Sequence, residues 1–411
     1  MRRQRPLSNR DFLLLWSGEA LSEVGSQTST VAYPLLVLAL TGSPVKAGVV
    51  GLAKWLPLAI FSLPAGVLAD RFDRKRLMIG CDVIRMMGAA SIVVALVLGH
   101  PAYAQVVGVA FLDGGLFITS YICERGALRH VVPPEQLQDA VATNEARSFA
   151  AGIVGPSLGG LLFSVTRALP FAADTVSFLC STAAIAGTRS RFQTAAEAQA
   201  RPWRQMRAEV AEGFTWLRGQ PFYRTTALLF AAGNPIFTGL YLLAILLARH
   251  HHASTAMIGV MLTIIGVCGL LGAVIAGPLR RRAGARGLIV GEPWLALGVV
   301  LLMLIAHNPL LIGVLVGATE FVTPATNAVV AGSRIAAAPD HLQGRVQAVA
   351  TTMSMSLAWL GPLSVGYLFE HGGPATTILA VAVWTLGLAL CATAAPSIRH
   401  PPTLVQKRAG S

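Results

Sequence analysis

Apolar stretches of about twenty residues recur along the whole chain, separated by short polar turns, and this pattern leaves few folds open. The hydrocarbon core of a bilayer is crossed by about 20 consecutive apolar residues in helical form. Twelve such stretches are expected, near 13–40, 45–69, 77–98, 102–123, 139–163, 169–187, 225–248, 257–279, 287–306, 309–331, 345–369 and 374–395, and are numbered here as spans 1 to 12. Charged residues are 12% of the 411, and the mean hydropathy is +0.62. A soluble domain carries about 25% charge. An all-α, multi-span membrane protein surrounded by lipid bilayer is therefore expected. The N-terminal MRRQRPLSNRDF leads into an apolar run longer than the core of a signal peptide, and reads as an uncleaved first span.

The net charge of +13 does not indicate nucleic acid, because the charges are spread over short loops between the spans. Counted by side, 26 Lys and Arg fall in loops that share a side with the N-terminus. Only Lys46, Arg167 and Arg249 fall on the other side, and Lys54, Arg85 and Arg147 lie within spans. Basic loops stay in the cytoplasm, so both termini are expected inside the cytoplasmic membrane. The five cysteines show no C-x-x-C spacing, so neither a zinc site nor a disulfide framework is expected. No metal and no cofactor is expected. His250, His251 and His252 read as a solvated loop.

The stretch Thr188 to Arg224 is the one long polar segment. Within it, Met206, Val210, Phe214 and Leu217 recur at helical spacing, so this helix is expected along the cytoplasmic membrane surface. It divides the chain into an N-terminal unit 1–190, a linker 191–222 and a C-terminal unit 223–411. The two units echo one another. GVLADRFDRKR (66–76) returns as GPLRRRAGARG (277–287), PPEQLQDAVA (133–142) as APDHLQGRVQ (338–347), and GPSLGG (155–160) as GPLSVG (361–366). Three echoes in one order, at shifts of 205 to 211, imply a duplicated six-helix unit.

The loop GVLADRFDRKR carries Arg71, Arg74, Lys75 and Arg76 between spans 2 and 3. Gly66 is expected to let two helix ends approach, and Asp70 and Asp73 to cap the next helix. A basic orientation signal accounts for much of this composition. Its order, G-x-L-A-D-R-x-x-R-K, resembles the signature loop of major facilitator superfamily transporters, with Asp73 where that pattern usually has Gly. The resemblance implies two pseudo-symmetric six-helix halves with a substrate site between them near mid-membrane. In span 5, AAGIVGPSLGG places Gly155, Pro156, Gly159 and Gly160 where small residues allow close helix contact and proline bends the helix. Its G-P-x-x-G-G order resembles a motif of exporting, antiporting members. Phrases such as NRDFLLLWSGEAL and VVPPEQLQDAVATN resemble bacterial multidrug, macrolide and siderophore exporters of that superfamily.

An ionisable group inside a span is costly and is a functional candidate. Asp82 and Arg85, one turn apart in span 3, are expected to pair with each other. Glu145 and Arg147 are expected near headgroup water, and Asp174 and Glu292 are read as structural. Glu23, Asp113 and Glu320 lie deeper, with Glu19 one turn before Glu23. A shift of 207 carries Asp113 onto Glu320, and a shift of 211 carries Glu23 onto Asn234. In the resembled superfamily, spans 1, 4, 7 and 10 line the central cavity, and these four residues come one from each. Lys54 is offset from Glu23 along the hairpin by about 13 Å, at 1.5 Å per residue. It is left to meet an acid on another helix, to meet a substrate anion, or to snorkel.

The expected function is proton-coupled export of amphipathic small molecules by alternating access, as a monomer. Glu23 and Asp113 are the proton carriers. Asn234, Glu320, Lys54 and Glu19 contact substrate. The partners are a small-molecule substrate and protons. Export of one dedicated metabolite is the alternative. No G-x-x-x-x-G-K-[ST] motif points to ATP, and no H-E-x-x-H or nucleophile elbow points to an enzyme.

Overall fold

The computed structural model describes residues 9–193, 203–339 and 342–399, and among them all regular structure is helical. The N-terminal half holds α1 (Arg10–Thr41), α2 (Pro44–Arg71), α3 (Arg74–Val97), α4 (Tyr103–Val131), α5 (Leu137–Val165) and α6 (Leu169–Ala186). Then come α7 (Trp203–Gly219), α8 (Pro221–His250), α9 (Thr255–Leu302), α10 (Pro309–Ala337), α11 (Gln343–Met355), α12 (Leu360–Ala394) and the short α13 (Pro396–Arg399). Among the described residues, nine helical stretches are long and apolar enough to cross a membrane. Helix α1 is a further long helix of 32 residues.

Two of the nine stretches are double. Helix α9 has 48 residues and contains Gly284 at φ 66°, while the stretch 343–394 contains Gly373 at φ 75°. Glycine enters this left-handed region without a Cβ clash, so the chain breaks direction at both points. Spans 8 and 9 therefore fall on α9, and spans 11 and 12 on α11 and α12. Span 7 falls on α8. Helix α4 runs eight residues past the expected end of span 4, which brings Glu124 inside the helix.

Contacts define two ends of the molecule. At one, here called the basic side, the Asn9 amide donates to Val131 O (2.8 Å), Asp11 accepts from the Arg189 and Ser190 N–H groups, and Lys75 Nζ donates to Ala186 O and Thr188 O. At the opposite side, Glu370 accepts from the Ser43 hydroxyl and from the Val45 N–H (2.8 Å), joining the end of the eleventh span to the start of α2. His250, His251 and His307 gather on this side as well, with ring centroids 5.1 to 5.5 Å apart. Slight burial and the neighbouring imidazoles push the His251 pKa down. No group able to hold a metal is found among the described residues.

The halves press together on that opposite side. A Cβ on Gly48 would lie 2.5 Å from Pro362 O, and one on Gly160 would lie 2.2 Å from the Gly259 Cα. The largest buried apolar cluster also draws from both halves there, with Leu35 and Leu36 beside Leu243 and Ile258. Toward the basic side, α2 and α11 still meet through the Ser62 and Thr352 hydroxyls, 3.4 Å apart. A Cβ on Gly66, one turn further, meets nothing within 4 Å. Gly66 thus makes no close helix approach here, because the halves are joined at their other ends.

Helix α7 docks on the C-terminal half. Leu217 is buried, Trp216 stacks on Tyr223 at 5.6 Å, and Gly213 lies against the Arg345 backbone. Val210 is half-buried, whereas Phe214, expected on the same face, is exposed. The side chain of Met206 lies outside the described residues.

The signature loop divides its work differently from expectation. Asp73 caps α3 by accepting from the Arg76 N–H at 3.1 Å. Asp70 does not cap it, because it still belongs to α2; it pairs with Arg74 at 3.3 Å. The Arg74 guanidinium is buried, donates to Ala69 O and lies against Gly126 of α4. Arg71 is exposed. The loop therefore ties the basic-side ends of α2, α3, α4 and α6. Replacing Asp73 by Ala is expected to cost about 1 kcal/mol, seen as a lower Tm with transport retained. Asp70→Asn is expected to do the reverse: a normal protein level with reduced transport.

Candidate functional site

A cavity of about 340 Å³ lies between the halves, walled by α1, α2, α5, α8, α9 and the eleventh span. Most of its wall is apolar and aromatic, and Lys54, Asn234, Gln27 and Pro156 are among the residues facing it. A side branch of about 80 Å³ continues past Lys54 and Trp55 to Glu23. Asn234 donates to Ser354 O at 2.7 Å, so it bridges α8 to α11 at the cavity wall.

Behind Lys54 stands a buried ion triad. Lys54 Nζ binds one oxygen of Asp113, and Arg85 Nε binds the other at 2.7 Å. Asp113 is 4% exposed and Arg85 5%, so both charges depend on each other rather than on water. Backbone approach makes the contact possible. A Cβ on Gly114, next to Asp113, would lie 2.3 Å from Lys54 O, so α4 backs directly onto α2 at this level. Arg85 also donates to Ser26 Oγ at 2.8 Å and covers the Phe178 ring at 4.3 Å. The expected Asp82–Arg85 pair does not form, because α3 turns the guanidinium toward Asp113 of α4. Asp174 is buried and accepts from Ser29 Oγ at 2.6 Å, within electrostatic reach of the triad. It is closer to this site than its reading as a structural residue implied.

A second network lies nearer the basic side. Arg147 holds both oxygens of Glu124, at 2.7 and 3.0 Å, and bonds Glu23 at 3.1 Å. The Asn144 amide donates to Glu124 at 2.9 Å. Arg147 and Glu124 are 7% and 4% exposed, which replaces the headgroup setting expected for Arg147. Glu145 does face outward, where it pairs with Arg125. Glu19 lines a small polar pocket with Glu23, Glu124 and Arg147, and its Oε1 is buried without a hydrogen-bond partner. Glu124 lies just past the expected end of span 4, within the eight residues by which α4 continues beyond it. Its signal was the continuation of helical pattern to Val131.

Glu320 is not brought to these groups. It stands on α10 beside Gly269 of α9, within electrostatic reach of Glu292 and Tyr241. Glu292 is 6% exposed and accepts from Thr323 Oγ1 at 2.7 Å. The span 5 glycines also split. Gly155 and Gly159 lie against Gln27 and Thr28 of α1, within the same half, and only Gly160 meets the other half.

The family model for transmembrane secretion effectors (MFS_3) matches residues 3–405. The chain belongs to this family. It is a major facilitator superfamily transporter and not an enzyme. The chain is 28% identical over 413 residues to the multidrug efflux pump Tap of Mycolicibacterium fortuitum, covering 95% of this chain and 96% of that one. It is 27% identical over 416 residues to the pump of the same name from Mycobacterium tuberculosis, covering 96% and 95%. Over 157 residues, 38% of each chain, it is 32% identical to macrolide efflux protein A of Streptococcus pyogenes. Among solved structures, the nucleoside transporter NupG superposes with a TM-score of 0.73 at 13% identity, covering 93% of this chain and 99% of that one. An inward-facing bacterial homologue of the lysosomal transporter Spinster superposes with 0.69 at 14%, covering 97% and 100%. These likenesses show the major facilitator fold.

Proposed function

We propose that this transporter is a monomeric, proton-driven exporter of amphipathic small molecules in the cytoplasmic membrane. Twelve spans, with the basic side and both termini in the cytoplasm, form the framework. The efflux activity named for its relatives supports drug export, and the lining of the central cavity suits apolar bodies with few polar groups. One observation carries the coupling: the Lys54–Asp113–Arg85 triad, whose Lys54 arm reaches the cavity wall. A proton on Asp113 cancels the charge that holds Lys54, so Lys54 turns toward the cavity and its bound substrate. Loss of the proton draws Lys54 back.

Glu23 serves as the second exchange point. Arg147 keeps both oxygens of Glu124 when Glu23 lets go, so a proton on Glu23 leaves no guanidinium unpaired. Asn234 contacts substrate from α8. The contacts at Gly48, Gly160 and Glu370 close the outer side in the state described, and rocking of the halves opens it.

Two measurements test this reading. In proteoliposomes with an internal pH dye, adding a transported macrolide should drive proton movement in the native protein and none in Glu23→Gln or Asp113→Asn. Uphill drug movement in the native protein without any proton flux would overturn the coupling. For orientation, cysteines placed from His250 to Ser254 should label from outside the cell, whereas one at Arg218 should not. The segment 201–202 of the same polar linker lies outside the described residues, and outside labelling of Arg218 would reverse the export direction.

A further inference from the structure

The two halves treat their basic-side loops differently. The loop 66–76 of the N-terminal half holds Arg71, Arg74, Lys75 and Arg76 with two acids, Asp70 and Asp73. The fold engages two of the four cations: Arg74 is held by Asp70 and Ala69 O, and Lys75 donates to Ala186 O and Thr188 O. The echo 277–287 holds Arg280, Arg281, Arg282 and Arg286 and no acid. All four are exposed, and none joins an ion pair among the described residues. An orientation signal needs positive charge in a cytoplasmic loop. It does not require that the folded protein leave every one of those charges without a counter-ion.

The echo is a built turn. Gly284 breaks the direction of α9, while Leu279 before it and Ala285 after it pack against Leu288, Ala325 and Val329. Ile289 clusters with Leu217 and Tyr223, which places this turn at the basic side. On the first segment of α9, Val267, Leu271, Val274 and Pro278 precede Arg281 and Arg282 at steps of three and four residues. That spacing puts them on one face of the helix. All of them are exposed, Val274 at 72%. One stripe therefore runs from apolar to doubly cationic over about 21 Å, at 1.5 Å per residue. A phospholipid has the same order, acyl chains and then a phosphodiester. Guanidinium groups match the phosphate oxygens, and the lack of any acid beside them favours a lipid of net negative charge.

We propose that this stripe binds an anionic phospholipid of the cytoplasmic leaflet. Arg281 and Arg282 take the phosphodiester, Arg280 and Arg286 add to the field, and Val267, Leu271 and Val274 carry the acyl chains. The lipid gives this turn the counter-charge that Asp70 gives its echo, and holds it at headgroup level. The leaflet rests on the orientation proposed above; binding measured in detergent does not, so the two fail separately.

The probes are dioleoylphosphatidylglycerol and dioleoylphosphatidylcholine, which share acyl chains and phosphodiester and differ in net charge. Native mass spectrometry of the purified full-length protein in non-ionic detergent reads the fraction carrying each lipid. The anionic lipid should bind at least about tenfold more tightly. Arg281→Gln with Arg282→Gln should bring the two lipids within about twofold at an unchanged Tm, and Arg281→Lys with Arg282→Lys should keep most of the preference. Arg71→Gln with Arg76→Gln removes the same net charge from the other loop and should leave the preference in place. Raising salt from about 0.1 M to about 0.5 M should weaken it in the native protein, a reading that needs no variant to fold. Glycerol phosphate at matched concentration should not displace the lipid; displacement would mark a site for soluble anions and overturn the proposal. Equal binding of both lipids by the native protein overturns it too. So does a preference that survives Arg281→Gln with Arg282→Gln, or one lost equally in Arg71→Gln with Arg76→Gln, which would reduce the loop to an orientation signal.

Discussion

Asp113→Asn should reduce drug export to the background of cells lacking the protein, and should cost about 3–5 kcal/mol of stability. The amide keeps the shape of the side chain but removes the counter-ion of two cations. Arg85 would remain 5% exposed with no carboxylate at its Nε, and Lys54 would lose its ion pair with Asp113. Export assays on matched membrane levels and a thermal melt of the purified protein measure the two effects. Lys54→Met separates coupling from folding. In that variant Asp113 keeps Arg85 at 2.7 Å, so protein level and Tm should stay near native while pumping is lost. Native pumping by Lys54→Met would remove the Lys54 arm from the mechanism. Asp113→Glu keeps the charge and should retain part of the activity.

The second large effect is expected at Gly160. A Cβ there would sit 2.2 Å from the Gly259 Cα and 2.7 Å from its nitrogen, and backbone cannot rotate away as a side chain can. Gly160→Leu should therefore push the outer ends of α5 and α9 apart and destabilise the outward-closed state. In a background lacking the five native cysteines, a cysteine at Gln27, which faces the central cavity, should gain reactivity toward a membrane-impermeant maleimide added outside. Proteoliposomes should leak drug down its gradient without any proton gradient. Gly159→Leu should behave differently. Its Cβ would meet Thr28 O of α1 at 2.5 Å, within the N-terminal half, so the expected result is low yield of folded protein rather than a leak. Unchanged labelling and tight vesicles with Gly160→Leu would mean that this contact does not hold the outer side closed.

Much about this protein follows from its sequence alone. Twenty-residue apolar periodicity fixes helices, because a bilayer leaves no other partner for backbone polar groups. The asymmetry of Lys and Arg sets an expected orientation, and three ordered echoes divide the chain into like halves. The loop from Gly66 to Arg76 and the glycines of span 5 carried the family resemblance, since backbone approach and capping need particular residues at particular spacings. Depth along a helix was legible as well, and it singled out Glu23, Asp113 and Glu320.

What a side chain faces was not legible. Helical spacing suggested that Arg85 would meet Asp82 one turn away, but the azimuth of α3 against α4 decides the matter in favour of Asp113. Lys54 found its acid only because Gly114 lets α4 rest on the Lys54 carbonyl. Glu124 became a buried partner of Arg147 once α4 proved longer than its apolar stretch. Asp113 and Glu320 stand 207 residues apart in the sequence echo, yet among the described residues one lies between two cations and the other pairs with none. A repeat conserves position along a helix. Only packing between helices decides which charges share the low-dielectric interior, because pairing there depends on contacts of about 3 Å that no spacing within one helix specifies.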